Sequence, residues 1–389
     1  LRRMFGIESY VDGRFGSFST NRLDKKELET LITNGIESTR YLAVDESRML
    51  ADPARYYKGG KPDLQLFDKK LYEVNPDDKV AIARAAAEEV LGKDERIISV
   101  DSSYSDGEGS SYRLISNGFE GESKSTWFSV SASVSIKGEG EARPQDYWYD
   151  SALFYDKLTK TGIGAKALER VLRKLGQKKA KSGKYTMVVD PMNVGNLLSP
   201  MLSALYGSAL QQKNSFLMDK LDTKVASDLF TLRDEPHAIG ANGSRYFDNE
   251  GVATEPRTVF DKGVLKTYFI DTYNGKKMDI APTISAPSRL ILTPGDKDLN
   301  GLVADIKQGI LVTGFNGGNS NSSTGDFSYG IEGFLIEDGK LTQPVNEMNV
   351  TGNMVTLWNS LVAVGNDPQP NRSWQIPSLV FEGVDFSGL

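Results

Sequence analysis

Residues 5–18 alternate apolar and polar positions around Asp12-Gly13, which predicts two short antiparallel strands joined by a tight turn. Ser19, Thr20 and Asn21 offer N-caps to a helix expected over residues 23–42, where Leu28, Leu31, Ile32, Ile36 and Tyr41 recur at helical spacing. Asn75-Pro76-Asp77 starts a second helix, over residues 78–91, that turns Val80, Ile82, Ala85, Ala86 and Val90 inward. From residue 97 to about 137 the period becomes two. Residues 125–136 alternate Ser or Thr with apolar side chains as one long strand, while Gly107-Glu108-Gly109 and Asn117-Gly118 are expected to break what precedes it into a meander. A helix follows over 161–175, then a buried strand over 185–190, and Pro191 opens a helical stretch to about residue 212. Short β-type runs punctuated by Gly and Pro come next, at 258–260, 264–271, 290–293 and 333–337. The fold class is therefore α+β. Residues 1–160 are expected to pack helices on an antiparallel sheet, and residues 161–389 to form a β-rich domain that starts with two helices.

Composition narrows the chemistry. A net charge of -6 supplies no global positive field for a phosphate backbone or an anionic membrane. The basic run Arg170, Arg173, Lys174, Lys178, Lys179, Lys181 and Lys184 surrounds a helix C-terminus, where cations favour the dipole, and is expected to be solvated. Nothing approaches the roughly 18 apolar residues that cross a bilayer, and residues 1–10 read as neither signal nor transit peptide. A cytoplasmic protein is expected, with no direct contact to nucleic acid or membrane. The chain opens Leu1-Arg2-Arg3 without Met, so native residues are expected upstream. It contains no cysteine and a single histidine, His237, which excludes disulfides, thiol nucleophiles and any two-histidine metal site within the chain.

Four local patterns invite a chemical reading. Residues 314–320, Gly-Phe-Asn-Gly-Gly-Asn-Ser, lack the Gly-Lys-Ser/Thr ending of a phosphate cradle and are expected to form a flexible loop. Gly162-Ile163-Gly164 is no dinucleotide fingerprint, because Ala167 stands where a third glycine is required. His237 follows Asp234-Glu235-Pro236 and is the one imidazole a Ser-His-Asp triad could use, but no nucleophile elbow accompanies it and an exposed loop position is expected. The pairs Asp234/Glu235 and Asp248/Glu250 are carboxylates of glycosidase type, for which the separation of the carboxyl groups in space decides.

A series of phrases in the second half carries more information together than any one alone. These are residues 202–210 (Leu-Ser-Ala-Leu-Tyr-Gly-Ser-Ala-Leu), Ser215-Phe216-Leu217, Val225-Ala226-Ser227-Asp228 and Phe247-Asp248-Asn249-Glu250-Gly251. Gly263-Val264-Leu265, Thr324-Gly325-Asp326-Phe327-Ser328, Gly339-Lys340 and Gly365-Asn366-Asp367 follow in order. In order and spacing they resemble the TldD/PmbA (TldE) metallopeptidase family over most of residues 160–389, and residues 10–17 resemble its amino-terminal hairpin. In the zinc-bearing TldD branch, the resemblance places His-Glu-x-x-x-His on one helix. Here those three positions read Ser203, Ala204 and Ser208, with Gly207 retained, and the further cysteine ligand has no counterpart. The match is to the metal-free PmbA/TldE-like branch. It implies no cofactor in this chain, zinc only in a TldD-like partner, and either a homodimer or a heterodimer with that zinc subunit. The implied activity belongs to a complex that degrades or matures unfolded or small peptides. Gly207, Ser215, Phe216, Asp326, Phe327 and Ser328, with the loop around residues 215–217 and the glycine-rich segment 314–325, either line the chamber that holds such a peptide or complete turns and core packing. The older family label, modulator of DNA gyrase, implies an alternative: a regulatory binding protein acting on the gyrase or its toxin. A homodimeric binding protein without a protease partner is a third reading.

Overall fold

The computed structural model describes residues 3–389; Leu1 and Arg2, and with them the expected upstream segment, lie outside the described residues. The alternating start folds as the hairpin β1 (Phe5–Val11) and β2 (Arg14–Thr20), paired in register from Val11↔Arg14 to Phe5↔Thr20. Helix α1 (Lys25–Thr39) is capped by Asp24, whose carboxylate accepts from the Glu27 amide, not by the Ser-Thr-Asn triplet before it. It buries only Gly35 and Thr39, and Ile32 and Tyr41 stay exposed, so its apolar spacing does not produce a buried stripe.

The next unit is a helix pair on a meander. Helix α2 (Pro76–Glu88) begins at Asn75, with Pro76 in the first turn, where a missing N–H costs nothing. Ala86 and Val90 are buried as expected, whereas Val80 and Ala85 face outward. The sheet consists of β3 (Ile97–Ile115), β4 (Phe119–Ile136) and β5 (Gln145–Ala152), all antiparallel in the order β3-β4-β5. Gly107 and Gly109 do not interrupt β3, because both continue the ladder opposite Trp127 and Ser125; only the turn at Asn117-Gly118 separates strands. The even positions of β4 from Phe128 to Ile136 are buried against α2 and helix α3 (Ile163–Leu172). Since α3 packs on this sheet, the unit runs to about residue 175, beyond the division expected near 160. Gly164 permits the close approach of the two helices: a Cβ there would stand 1.9 Å from the Ala86 carbonyl oxygen.

The second half builds its core around one short helix. Strand β6 (Gly183–Val189) leads into α4 (Gly195–Ser203) and α5 (Gly207–Gln211), so the expected single helical stretch is in fact two helices. Three small strands follow, β7 (Leu232–Asp234), β8 (Arg257–Asp261) and β9 (Val264–Leu265), then α6 (Thr272–Met278), β10 (Leu290–Leu292) and α7 (Leu299–Ala304). The long strands β11 (Gln308–Ser320), β12 (Asp326–Glu337) and β13 (Lys340–Asn353) precede α8 (Met354–Asn359). The chain ends with β14 (Leu361–Val364), β15 (Trp374–Gln375) and β16 (Leu379–Ser387). One sheet runs β15-β10-β7-β8-β9 and the other β13-β12-β11-β6-β16-β14, with an extra β13–β16 pairing that closes five strands on themselves. Met187, Val189, Ile310 and Val312 point to the face that receives Leu197, Leu198, Met201 and Leu202 of α4. Val188 and Leu311, one residue out of phase, pack with Leu302 and Val303 of α7 on the opposite face.

The two halves are joined by charge. Lys174, expected to be solvated, is buried, and its ammonium lies 2.7 Å from Glu332 on β12 and 3.2 Å from Asp146 on β5. Arg170 pairs with the same Asp146 at 3.2 Å. These partners are distant in sequence, which is why the basic run reads as surface. Among the described residues, no helix is long and apolar enough to cross a membrane.

Candidate functional site

Ser203, Ala204 and Ser208, which the resemblance sets against the zinc ligands and base of the TldD branch, lie at the join between α4 and α5. Backbone hydrogen bonds leave helical order at residues 204–206, and Tyr206 bridges to Phe269 instead. Ser203 and Ser208 therefore belong to two helices, not to the single helix that the resemblance implies; both are exposed, while Ala204 between them is buried. Gly207 is buried against α6. Its amide donates to the Phe269 carbonyl at 2.7 Å, and a Cβ would stand 2.9 Å from Cβ of Asn274. Ser215 is also buried: its hydroxyl donates to the Ala204 carbonyl at 2.6 Å and accepts from the Leu217 amide at 3.1 Å. Gly207 and Ser215 thus fix the backbone of the join and present no surface of their own.

A second layer of polar residues sits beside that join. The Phe216 amide donates to the Ser322 carbonyl at 3.0 Å, and the Ser322 hydroxyl reaches Asn214 at 2.8 Å. The half-buried Phe216 ring packs over Gly325, where a Cβ would come within 3.1 Å of it. Asp326 is exposed and accepts from Asn353 at 2.9 Å and from the Thr324 hydroxyl at 2.7 Å, and these two bonds hold its carboxyl below the usual carboxylate range. Phe327 is buried and Ser328 exposed on alternate faces of β12. The structure thus brings Phe216 and Asp326 together with Ser322, Ser323 and Thr324 of the segment 314–325, and with Asn214 and Asn353, which the sequence reading did not name. Asn214 and Asn353 carry no signal of their own in the sequence, because the turn-forming run Asn321-Ser322-Ser323-Thr324-Gly325 that they bind is distant along the chain.

The glycine-rich segment is not a loop. Residues 314–320 continue β11, and Gly318 fits because a Cβ would stand 2.0 Å from the Ser328 carbonyl oxygen of β12. Strand β6 accompanies β11 only from Gly309 to Val312, so residues 314–320 have a strand on one side alone. His237 is half-buried, not exposed: its Nε2 lies 3.0 Å from the Thr254 hydroxyl, and burial with Lys61 nearby lowers its pKa. Asp234 and Asp248 are buried acceptors of backbone amides. Glu250 accepts from the amide and hydroxyl of Thr272, and burial raises its pKa.

Zinc does not fit the join. Hydroxyls are poor zinc ligands beside imidazole and thiolate, and Ala204 has no group that moves a proton. Among the described residues no three His, Asp or Glu side chains gather as a metal site.

Residues 69–175 match the PmbA/TldA metallopeptidase central domain, and residues 182–388 match the PmbA/TldA metallopeptidase C-terminal domain. The chain is 28% identical to the metalloprotease PmbA homolog of Haemophilus influenzae, over 98% of this chain and 85% of that protein. It is 27% identical to metalloprotease PmbA of Escherichia coli O157:H7 over the same shares. A crystal structure from Bacteroides thetaiotaomicron, described as a modulator of DNA gyrase, superposes with a TM-score of 0.98 at 73% identity, covering 99% of this chain and 88% of that one. TldE from Thermococcus kodakarensis shares the fold, with a TM-score of 0.82 at 22% identity over 99% and 90% of the two chains. With both family domains matched in order along a chain of the same fold, this protein belongs to the PmbA/TldA metallopeptidase family.

Proposed function

We propose that this chain is a non-catalytic, PmbA/TldE-like subunit of a cytoplasmic zinc metallopeptidase complex that acts on unfolded or small peptides. The observation that carries this reading is the solvent face of the α4–α5 join, which presents Ser203 and Ser208 where a metal would need imidazoles, above a buried Ala204 where a base would be required. The zinc belongs to a TldD-like partner, and this chain contributes a wall of the space where peptide is held. Support for that wall comes from the open side of β11 at residues 314–320, whose unpaired backbone can hydrogen-bond an extended peptide without selecting side chains. Phe216, Asp326 and Ser328 present the adjoining surface.

The test mixes the purified protein with a zinc-bearing homologue from the same source and follows hydrolysis of a short unstructured peptide. Activity above that of either component, together with a co-eluting complex, is expected. A zinc subunit that reaches full activity alone and never associates with this chain would overturn the proposal. The gyrase-related description of the 73% identical relative favours a second reading, a regulatory binding protein. Binding to gyrase or its peptide toxin without turnover in any mixture would favour it over the first.

A further inference from the structure

A cleft with Arg245 in its lining lies where the two halves of the molecule meet. It has a volume of about 390 Å³ and is lined on one side by Leu66, Ser125 and Leu153. Ala241 to Arg245, Pro287, Ser288 and Ser373 form the other side. The volume falls within the roughly 300–1,000 Å³ range of small-molecule sites, which favour domain boundaries.

Internal hydrogen bonds hold both walls. Thr126 ties the first one together, its amide donating to the Leu66 carbonyl at 3.0 Å and its hydroxyl to the Leu153 carbonyl at 2.7 Å. On the second, Ser244 donates to the Ala238 carbonyl at 2.7 Å and Asn242 to the Asn371 carbonyl at 2.7 Å. Gly243, at φ +84°, allows the closest approach: a Cβ would stand 2.7 Å from Cβ of Ser373 and 2.8 Å from the Ser288 carbonyl oxygen.

The cation on this wall is left without a counter-ion. Arg245 Nε donates to the Ser288 hydroxyl at 2.8 Å, and Nη2 donates to the Ala286 and Pro287 carbonyls at 2.7 and 3.1 Å. These bonds fix the plane of the guanidinium and leave Nη1 with no protein acceptor among the described residues. The carboxylate that feels this charge, Asp234, directs its oxygens to the amides of Ser288 and Arg289. Arg289 and Arg372 flank the lining residues Ser288 and Ser373, and neither forms an ion pair with a carboxylate of the described chain; Arg372 rests on the Tyr149 ring instead. A fixed guanidinium with a spare N–H, in a cleft also lined by Ser125, Ser244, Ser288 and Ser373, is complementary to a carboxylate.

We infer that this cleft binds a small organic carboxylate, up to the size of a short peptide, with Arg245 as the anchor of its carboxylate and Ser125 and Ser373 as hydroxyl partners. The cleft shares no lining residue with the peptide-holding wall proposed above, and the inference does not depend on it. Calorimetric titration of the whole purified chain with trialanine, its C-terminal amide and inorganic phosphate tests the inference. Trialanine is expected to bind, and the amide at least about tenfold more weakly. Ser373→Asp, which adds a carboxylate to the lining of the same cleft, is expected to abolish the trialanine heat while the protein still unfolds cooperatively on heating. Arg245→Gln is expected to do the same to binding, with some loss of stability from its bonds to residues 286–288. No binding of trialanine, equal binding of acid and amide, undiminished binding by the Ser373→Asp protein, or binding of phosphate alone would each overturn the assignment.

Discussion

The solvent face of the α4–α5 join and the packing directly beneath it differ sharply in what they ask of their side chains. Above, Ser203 and Ser208 are exposed. Below, Gly207, Ser215 and the fully buried Trp358 hold the same backbone through close contacts and satisfied hydrogen bonds. Trp358 meets Phe230 at 4.4 Å between ring centroids and Phe381 at 5.6 Å, and its Nε1 donates toward the Leu197 carbonyl of α4. The backbone of the join is thus held by packing and hydrogen bonds from below, while its solvent face carries only hydroxyls. Scaffold and chemistry are separable properties of one segment.

Substitutions should follow that division. Trp358→Ala removes the largest side chain under α4 and is expected to cost about 4 kcal/mol, read by urea unfolding. The loss should be far below that only if the core collapses around the gap.

Asp190, at the start of the segment leading into α4, gives the next effect. Its carboxyl is pushed up to about 6 by burial, against the opposing bonds from Asn193 and the charge of Arg170. The folded state therefore holds a proton more tightly than the unfolded chain, whose carboxyl titrates near 3.8. This group's contribution is greatest below about pH 4, declines by up to about 3 kcal/mol as pH rises to about 6, and is constant above. Asp190→Asn keeps the acceptor for Asn193 and should flatten that part of the profile, measured as stability at pH 4.5 and pH 7.

Gly207→Ala and Ser215→Ala probe the contacts immediately below the join. The first forces a methyl group against Asn274 and the second leaves the Ala204 carbonyl without its hydroxyl donor, so each should lower stability by about 1–2 kcal/mol in thermal unfolding. At the small end, Ser203→Ala and Ser208→Ala should change stability by less than about 0.5 kcal/mol and leave the peptidase activity of any complex intact. A large loss of activity from either serine would erase the distinction between face and scaffold. The triple change Ser203→His, Ala204→Glu and Ser208→His should not create a peptidase, because it buries a carboxylate at position 204, splits the two imidazoles between separate helices and supplies no thiolate.

Much of the architecture was legible wherever side chains alternate or recur. The hairpin at Asp12-Gly13, the strand ending at Ile136 and the buried face of α2 at Ala86 and Val90 all follow from period and turn chemistry. Residues 314–320 were misread because glycine carries no periodic signal: their strand conformation is imposed by Ser328 and Tyr329 across the ladder. The break at residues 204–206 was hidden for a similar reason, since the bridge from Tyr206 to Phe269 is tertiary. Lys174 reads as solvated because Asp146 and Glu332 reach it from distant strands. At the candidate site, the lack of cysteine and the single histidine were legible from residue type alone, whereas the cleft around Arg245 was not, because its lining comes from six separate stretches of chain.

The most direct test of the central claim is peptide hydrolysis by the purified chain alone, with bound metal quantified on the same sample. The expected result is no stoichiometric zinc and no cleavage above the buffer rate. Stoichiometric zinc with turnover that a chelator abolishes would contradict the account and place a catalytic site among residues other than Ser203, Ala204 and Ser208.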